Sequence, residues 1–436
     1  MVRSRARTTA FALTGALLLA ACAAPGEDVP VADDDAPPVD GLTAWALTGG
    51  SDVVLKESFA TWNGHHPDRT IDVGWLANDE YKPRIGEAVD AGEAPTLIFG
   101  WAGSDLDRYV AQGAVADLTG RVDPVLERAL PAVAEAGTVD GRTYAVPNNQ
   151  TQPVVLYHNA EVLAEVGVEP PSTFAELLDA VATLREAGVQ PIALAGGSKW
   201  PELMYIQYLT DRIGGPQVFR RIAAGEPGSW SDPAVLEALR KIRLLVEAGA
   251  FGDGFTEVLA DGSGDTEIVA SGHAAFVLQG AWVYPDFVTS APELIIDDGL
   301  GYTPFPRVEG GIGDPDNVVG NPANYWSVSA TATPAEQESA IAFLNDQVYA
   351  DYPVGWFLAT RTVPPVQGLE PRLETSDDAD YLRAVYGMVA AAPHFQLSWD
   401  QALPADQAGP LLDNLHQVFT GEQSPQGFVD AMNATL

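Results

Sequence analysis

Short apolar runs alternate with longer stretches in which apolar residues recur every three or four positions. The short runs predict strands at Leu42–Leu47, Thr70–Leu76, Pro95–Trp101, Val154–Asn159, Pro191–Ala195, Ala274–Leu278, Leu300–Pro304 and Tyr325–Ala330. Three of the intervening stretches carry helix boundary signals. Thr173 and Glu176 form a capping box after Pro170-Pro171; Leu177, Leu178, Val181 and Leu184 share one face, and Gly188 stops the helix. Asp232-Pro233 starts a second, with Leu236, Leu239 and Ile242 on one face and Gly249 at its end. Thr333-Pro334 and Glu336 start a third, carrying Ile341, Leu344 and Val348. Strand–helix alternation of this kind predicts an α/β fold with largely parallel sheets.

The N-terminal pattern differs. Arg3, Arg5 and Arg7 precede an apolar stretch from Ala10 to Leu19, which ends in Leu19-Ala20-Ala21-Cys22. A basic start, a short apolar core and small residues predict a secretory signal over residues 1–21. The core is too short to span a membrane as a helix. Leu-Ala-Ala-Cys resembles the lipobox of bacterial lipoproteins, which implies a lipid on Cys22 and a place on the outer face of the cell membrane. The chain has one cysteine, so an internal disulfide and multi-cysteine zinc sites are excluded. Residues 22–40 are dominated by acids and prolines and read as an extended, disordered tether. The folded body is predicted to begin near Gly41.

Charge narrows the partners. Twenty-three basic residues against sixty acidic ones give a formal net charge of −37 in 436 residues. That excess argues against nucleic acid and against an anionic membrane surface. Gly-x-Ser-x-Gly, a Walker loop, His-Glu-x-x-His and a dinucleotide fingerprint are all missing from the sequence, so no catalytic residue, cofactor or metal is predicted. His65-His66 reads as a surface turn. Asp261-Gly-Ser-Gly-Asp265 departs from a calcium loop at Thr266 and reads as a flexible loop.

Aromatic usage is more specific. Of ten tryptophans, Trp101, Trp200, Trp282, Trp326 and Trp399 follow glycines or stand at the edges of short strands. Indole faces stack on the C–H faces of sugars, while Asp, Asn and Gln bond the hydroxyl rim. In α/β sheets ligands bind beyond the carboxyl ends of strands. The five tryptophans are therefore expected to line a cleft.

Several segments, in order, resemble the extracellular solute-binding proteins of carbohydrate ABC importers, the large group that includes maltose-binding protein. They are Glu87–Trp101 (with Thr96 where that family has Asp), Val139–Pro147, Leu156–Asn159, Pro171–Leu177, Ala270–Phe276 and Ala340–Leu344. The resemblance implies a two-lobed periplasmic-binding-protein-like fold with three interlobe crossings, near Val146–Thr151, Gly301–Pro306 and Phe343–Ala350. Lobe 1 would comprise residues 41–147 and 303–345, and lobe 2 residues 148–302 and 346–436. It also implies ligand contacts from Trp101, Asp105, Gln150, Thr151, Trp200, Trp282, Trp326, Trp399 and Asp400. The expected function is capture of a sugar, a short oligosaccharide by preference, by a monomeric non-enzymatic receptor that delivers it to a membrane permease. The alternatives are a receptor for a polyol, glycerol phosphate or peptide, and a secreted glycosidase.

Overall fold

A computed structural model describes residues 41–436; the predicted signal, Cys22 and the tether lie outside the described residues. Thirteen strands are described. They are β1 Leu42–Leu47, β2 Ile71–Leu76, β3 Leu97–Gly100, β4 Thr138–Val139, β5 Arg142–Thr143, β6 Val146–Pro147, β7 Gln152–Asn159, β8 Gln190–Ala193, β9 Ala274–Gly280, β10 Leu300–Thr303, β11 Val318–Asn321, β12 Tyr325–Val328 and β13 Phe395–Leu397. Every strand expected from the short apolar runs is present. The capping boxes at Thr173–Glu176 and Thr333–Glu336 are both formed, and Asp232 caps the helix Pro233–Glu247 through the Ala234 N–H.

The strands make two main sheets, each with helices packed on it, and these are the two lobes. The first has the order β2-β1-β3-β12-β6, the second β13-β11-β7-β9-β8 with β10 also on β7. In the first, β1 runs parallel to β2 and β3, while β12 runs antiparallel to β3 and β6. In the second, β7 is antiparallel to β9, β10 and β11. The sheets are thus mixed rather than largely parallel. The antiparallel members β7 and β12 arrive from the other sheet through short connections, so no crossover helix sets their direction. β7 is buried along its whole length because it has strands on both sides and helices on both faces.

The first connection runs from β6 to β7, where the sequence placed it. The second does not. β10 and β11 both belong to the second sheet, and the chain returns to the first between Asn321 and Tyr325, not near Gly301–Pro306. The third is also later than Phe343–Ala350. Pro365 O still accepts from Leu130 N–H, and the chain reaches β7 where the Tyr381 and Tyr157 hydroxyls bond at 2.8 Å. The Gly- and Asp-rich segment 306–317 and the turns of 359–378 carry no periodicity that would reveal either boundary.

Two aromatic clusters hold the lobes. In the first, Phe59 stacks on Phe343 at 4.7 Å and meets Trp326 edge-on at 5.8 Å. In the second, Trp399 stacks on Phe219 at 4.5 Å, with Trp230 edge-on at 5.8 Å. Trp326 and Trp399 are therefore core residues, fully enclosed, and not walls of a cleft.

Candidate ligand-binding cleft

β1, β2 and β3 run parallel, so their carboxyl ends emerge on one side of the first sheet. That edge faces the second lobe across a cleft of about 340 Å³. From the first lobe come the loop Thr48–Ser51, the start of the helix Asn78–Ala91, and Trp101 just past β3. From the second come Trp200, the segment Ala260–Ser263, Trp282 just past β9, and Ser398, Asp400 and Gln401.

Of the predicted ligand contacts, Trp101, Gln150, Trp200, Trp282 and Asp400 line this cleft. Trp101 meets Phe99 edge-on at 6.1 Å, and Lys82 Nζ stands 5.0 Å above its ring. Trp200 and Trp282 come from different segments and lie 5.9 Å apart at 55°. Trp282 owes its seat to Gly280: a Cβ there would lie 1.9 Å from the indole Cζ3. Only a residue without a side chain lets the ring fold back over the strand end.

The other four predicted contacts lie elsewhere. Trp326 and Trp399 are in the cores described above. Asp105 sits on the helix Ser104–Ala111, outside the cleft lining, and pairs with Arg108 at 3.4 Å. Its place in the sequence, just beyond Trp101, suggested a contact, but the helix turns it away. Thr151 is buried behind the cleft, its N–H donating to Val363 O at 2.8 Å.

Sequence reasoning missed several cleft residues. Asn149, Gln152, Asn321 and Asn324 tie the first two connections together. Asn324 Oδ1 accepts from Asn149 Nδ2 at 2.7 Å and from Gln152 Nε2 at 2.6 Å, Asn324 N–H donates to Asn149 Oδ1 at 2.8 Å, and Asn321 Nδ2 donates to Gln152 Oε1 at 3.3 Å. The run Asn148-Asn149-Gln150-Thr151-Gln152 was the available signal, because so many amides between two apolar strands need a buried polar environment. The loop Asp261–Asp265, read as merely flexible, lies at the cleft. Asp265 is enclosed, its carboxyl pushed up to about 6 by burial, and it holds cleft-lining Gln279 through Nε2 at 2.9 Å. Burial likewise raises Asp286, which accepts from Ser263 Oγ at 2.8 Å.

Charges in the cleft are largely committed. Asp400 accepts from Lys82 Nζ at 3.1 Å and from Ser398 Oγ at 2.7 Å. Lys82 is the only basic side chain among the described residues of the lining. Free acceptors remain: the side-chain oxygens of Gln150, Asn321 and Gln401 are buried without a partner among the described residues. Aromatic faces with a rim of oxygen acceptors suit a neutral ligand rich in hydroxyl donors. Among the described residues no group of three or more His, Cys, Asp or Glu side chains is arranged to hold a metal ion.

The profile of the family described as bacterial extracellular solute-binding protein matches residues 48–345. A structure from work on xylan utilization by the thermophilic bacterium Caldanaerobius polysaccharolyticus superposes with a TM-score of 0.82 at 29% identity, covering 91% of this chain and all of that one. A chitin oligosaccharide binding protein gives 0.81 at 21% identity, over 91% of this chain and 98% of its own. The melibiose/raffinose/stachyose-binding protein of Bacillus subtilis is 24% identical over 273 residues, 59% of this chain and 58% of its own. The chain spans about half the length of the curated relatives it matches. With more than half of its length matching the profile and both lobes matching the fold, the chain belongs to the family of bacterial extracellular solute-binding proteins.

Proposed function

We propose that the chain is a non-enzymatic receptor that captures a sugar, a short oligosaccharide by preference, between its lobes and delivers it to the permease of an ABC importer. The observation that carries this reading is the meeting of Trp101, Trp200 and Trp282 in one cleft edged by amide and carboxylate oxygens. The similar structures, one from work on xylan utilization, one a chitin oligosaccharide binding protein and one a binding protein in complex with raffinose, point the same way. A glycerol phosphate would need cationic partners, and Lys82 is already paired with Asp400. The lobes act as receptor halves: a ligand touching both stabilises closure by the contacts it gains there. A melting screen against xylobiose, chitobiose, raffinose, glycerol phosphate and a tripeptide tests the reading. A saccharide should raise the melting temperature and be recovered uncleaved. Stabilisation by glycerol phosphate or peptide alone would refute it.

Anchoring through Cys22 belongs to the same reading, supported by the lipobox and by the absence of any other cysteine. Cys22→Ala should release the protein from membranes of a host that makes lipoproteins; a mutant that stays membrane-bound would remove the lipid from the account.

A further inference from the structure

We infer that Asp79 and Asp261 form a latch across the cleft that holds Trp200 against Trp282, which makes Asp79 a positioning residue of the site although it does not line it. The helix Asn78–Ala91 starts after Ala77, whose side chain cannot cap it. The opposite lobe supplies the cap: Asp79 N–H donates to Asp261 Oδ2 at 3.0 Å. The Asp79 carboxylate answers in the other direction. It accepts from Trp200 Nε1 at 3.2 Å and from Ser198 Oγ at 2.6 Å. Ser198 Oγ in turn accepts from Ala260 N–H at 3.0 Å, next to Asp261. The bonds close a circuit in which each lobe holds the other.

Local backbone serves the same end. Lys199, between Ser198 and Trp200, has φ +60, a conformation that side-chain-bearing residues rarely adopt. This tight turn lets the residues on either side of it reach one carboxylate. One helical turn after Asp79, Lys82 crosses to Asp400 and steadies the same helix end.

The consequence falls on Trp200. An indole has a single N–H donor. Spent on Asp79, that donor fixes the ring and leaves its faces for the cleft, 5.9 Å from Trp282. Fixing the ring in advance spares a ligand the ordering cost. The stacking surface of Trp200 is thus completed by a residue of the other lobe.

The first test rests on the sugar-binding reading. Xylobiose, chitobiose and raffinose are titrated calorimetrically into the wild type, Asp79→Ala, Trp200→Ala and the double variant. Asp79→Ala should weaken every saccharide that binds by about fivefold and, acting through Trp200, should add no further loss to Trp200→Ala. Asp79→Asn, which keeps the acceptor oxygen, should restore most of the affinity. Unchanged binding in Asp79→Ala, or losses that multiply in the double variant, would overturn the inference. The second test needs no sugar. The indole N–H resonance of Trp200, assigned by its absence in Trp200→Ala, should shift on Asp79→Ala; an unshifted resonance overturns the latch whether or not any saccharide binds.

Discussion

At Trp282 the indole lies over the Cα of Gly280, at the end of a fully buried strand and at the edge of the cleft. Two substitutions separate its roles. Trp282→Ala should weaken sugar binding roughly tenfold to a hundredfold, because a stacked, desolvated aromatic contributes about 1–3 kcal/mol. It should cost little folding stability, since no core cavity is left. Gly280→Ala should give a similar affinity loss with the tryptophan still present, because the new Cβ evicts the ring; unchanged affinity in that variant would show that the folded-back position is not the binding one. Trp399→Ala should do the opposite, costing about 3–5 kcal/mol of folding and sparing the affinity of the surviving folded protein. Calorimetry and melting curves on the same preparations check all three. The contrast also explains what was legible at this scale. A tryptophan beside a loop was a sound signal for Trp101, Trp200 and Trp282. It failed at Trp326, which faces inward from a strand, and at Trp399, whose neighbour Asp400 reaches the cleft while the ring stacks on Phe219. Adjacent residues point to opposite sides, and a linear pattern does not say which side is the ligand's.

The segment that carries Trp200 is fastened behind the cleft by a hydrogen bond between a buried carboxyl group and an imidazole. Glu202 is fully enclosed and accepts from His416 Nδ1 at 2.9 Å. Burial pushes the Glu202 carboxyl up to about 7, although His416 and Lys199 pull it down; donating its hydrogen bond to Glu202 raises His416 above its usual range. Both groups bind protons more tightly folded than unfolded, so their contribution is full in acid and is lost as pH rises through their folded values. Wild-type stability should therefore fall relative to Glu202→Gln between pH 5 and pH 8, by roughly 2–3 kcal/mol at about 1.4 kcal/mol per pK unit. Melting temperatures of the two proteins at both pH values measure it, and a gap independent of pH would contradict this account of the pair. Elements with strong local signals were readable in advance: the apolar runs gave the main strands, and Thr173, Asp232 and Thr333 gave helix starts. β11 and β13 were not. Each is short, and each is held by pairing to a strand distant in sequence, Val319 opposite Gln396 and Gly320 opposite Pro153. Because β11 was invisible, the second connection was placed too early.

For the whole molecule, a net charge of −37 leaves a neutral sugar unhindered and disfavours anionic solutes. The fold supplies what a receptor needs: two lobes with separate aromatic cores, connections tied by the Asn149–Asn324 amides, and a cleft where strand ends, tryptophans and unspent acceptor oxygens converge. A ligand that gains contacts when the lobes close stabilises the closed form by the free energy of those contacts. The most direct measurement is calorimetric titration of the purified protein with xylobiose, chitobiose, raffinose and their constituent monosaccharides, repeated with Trp282→Ala. At least one oligosaccharide should bind saturably and one-to-one, and the substitution should weaken it at least tenfold. Absence of heat with every saccharide, or binding indifferent to Trp282, would contradict the sugar-binding reading.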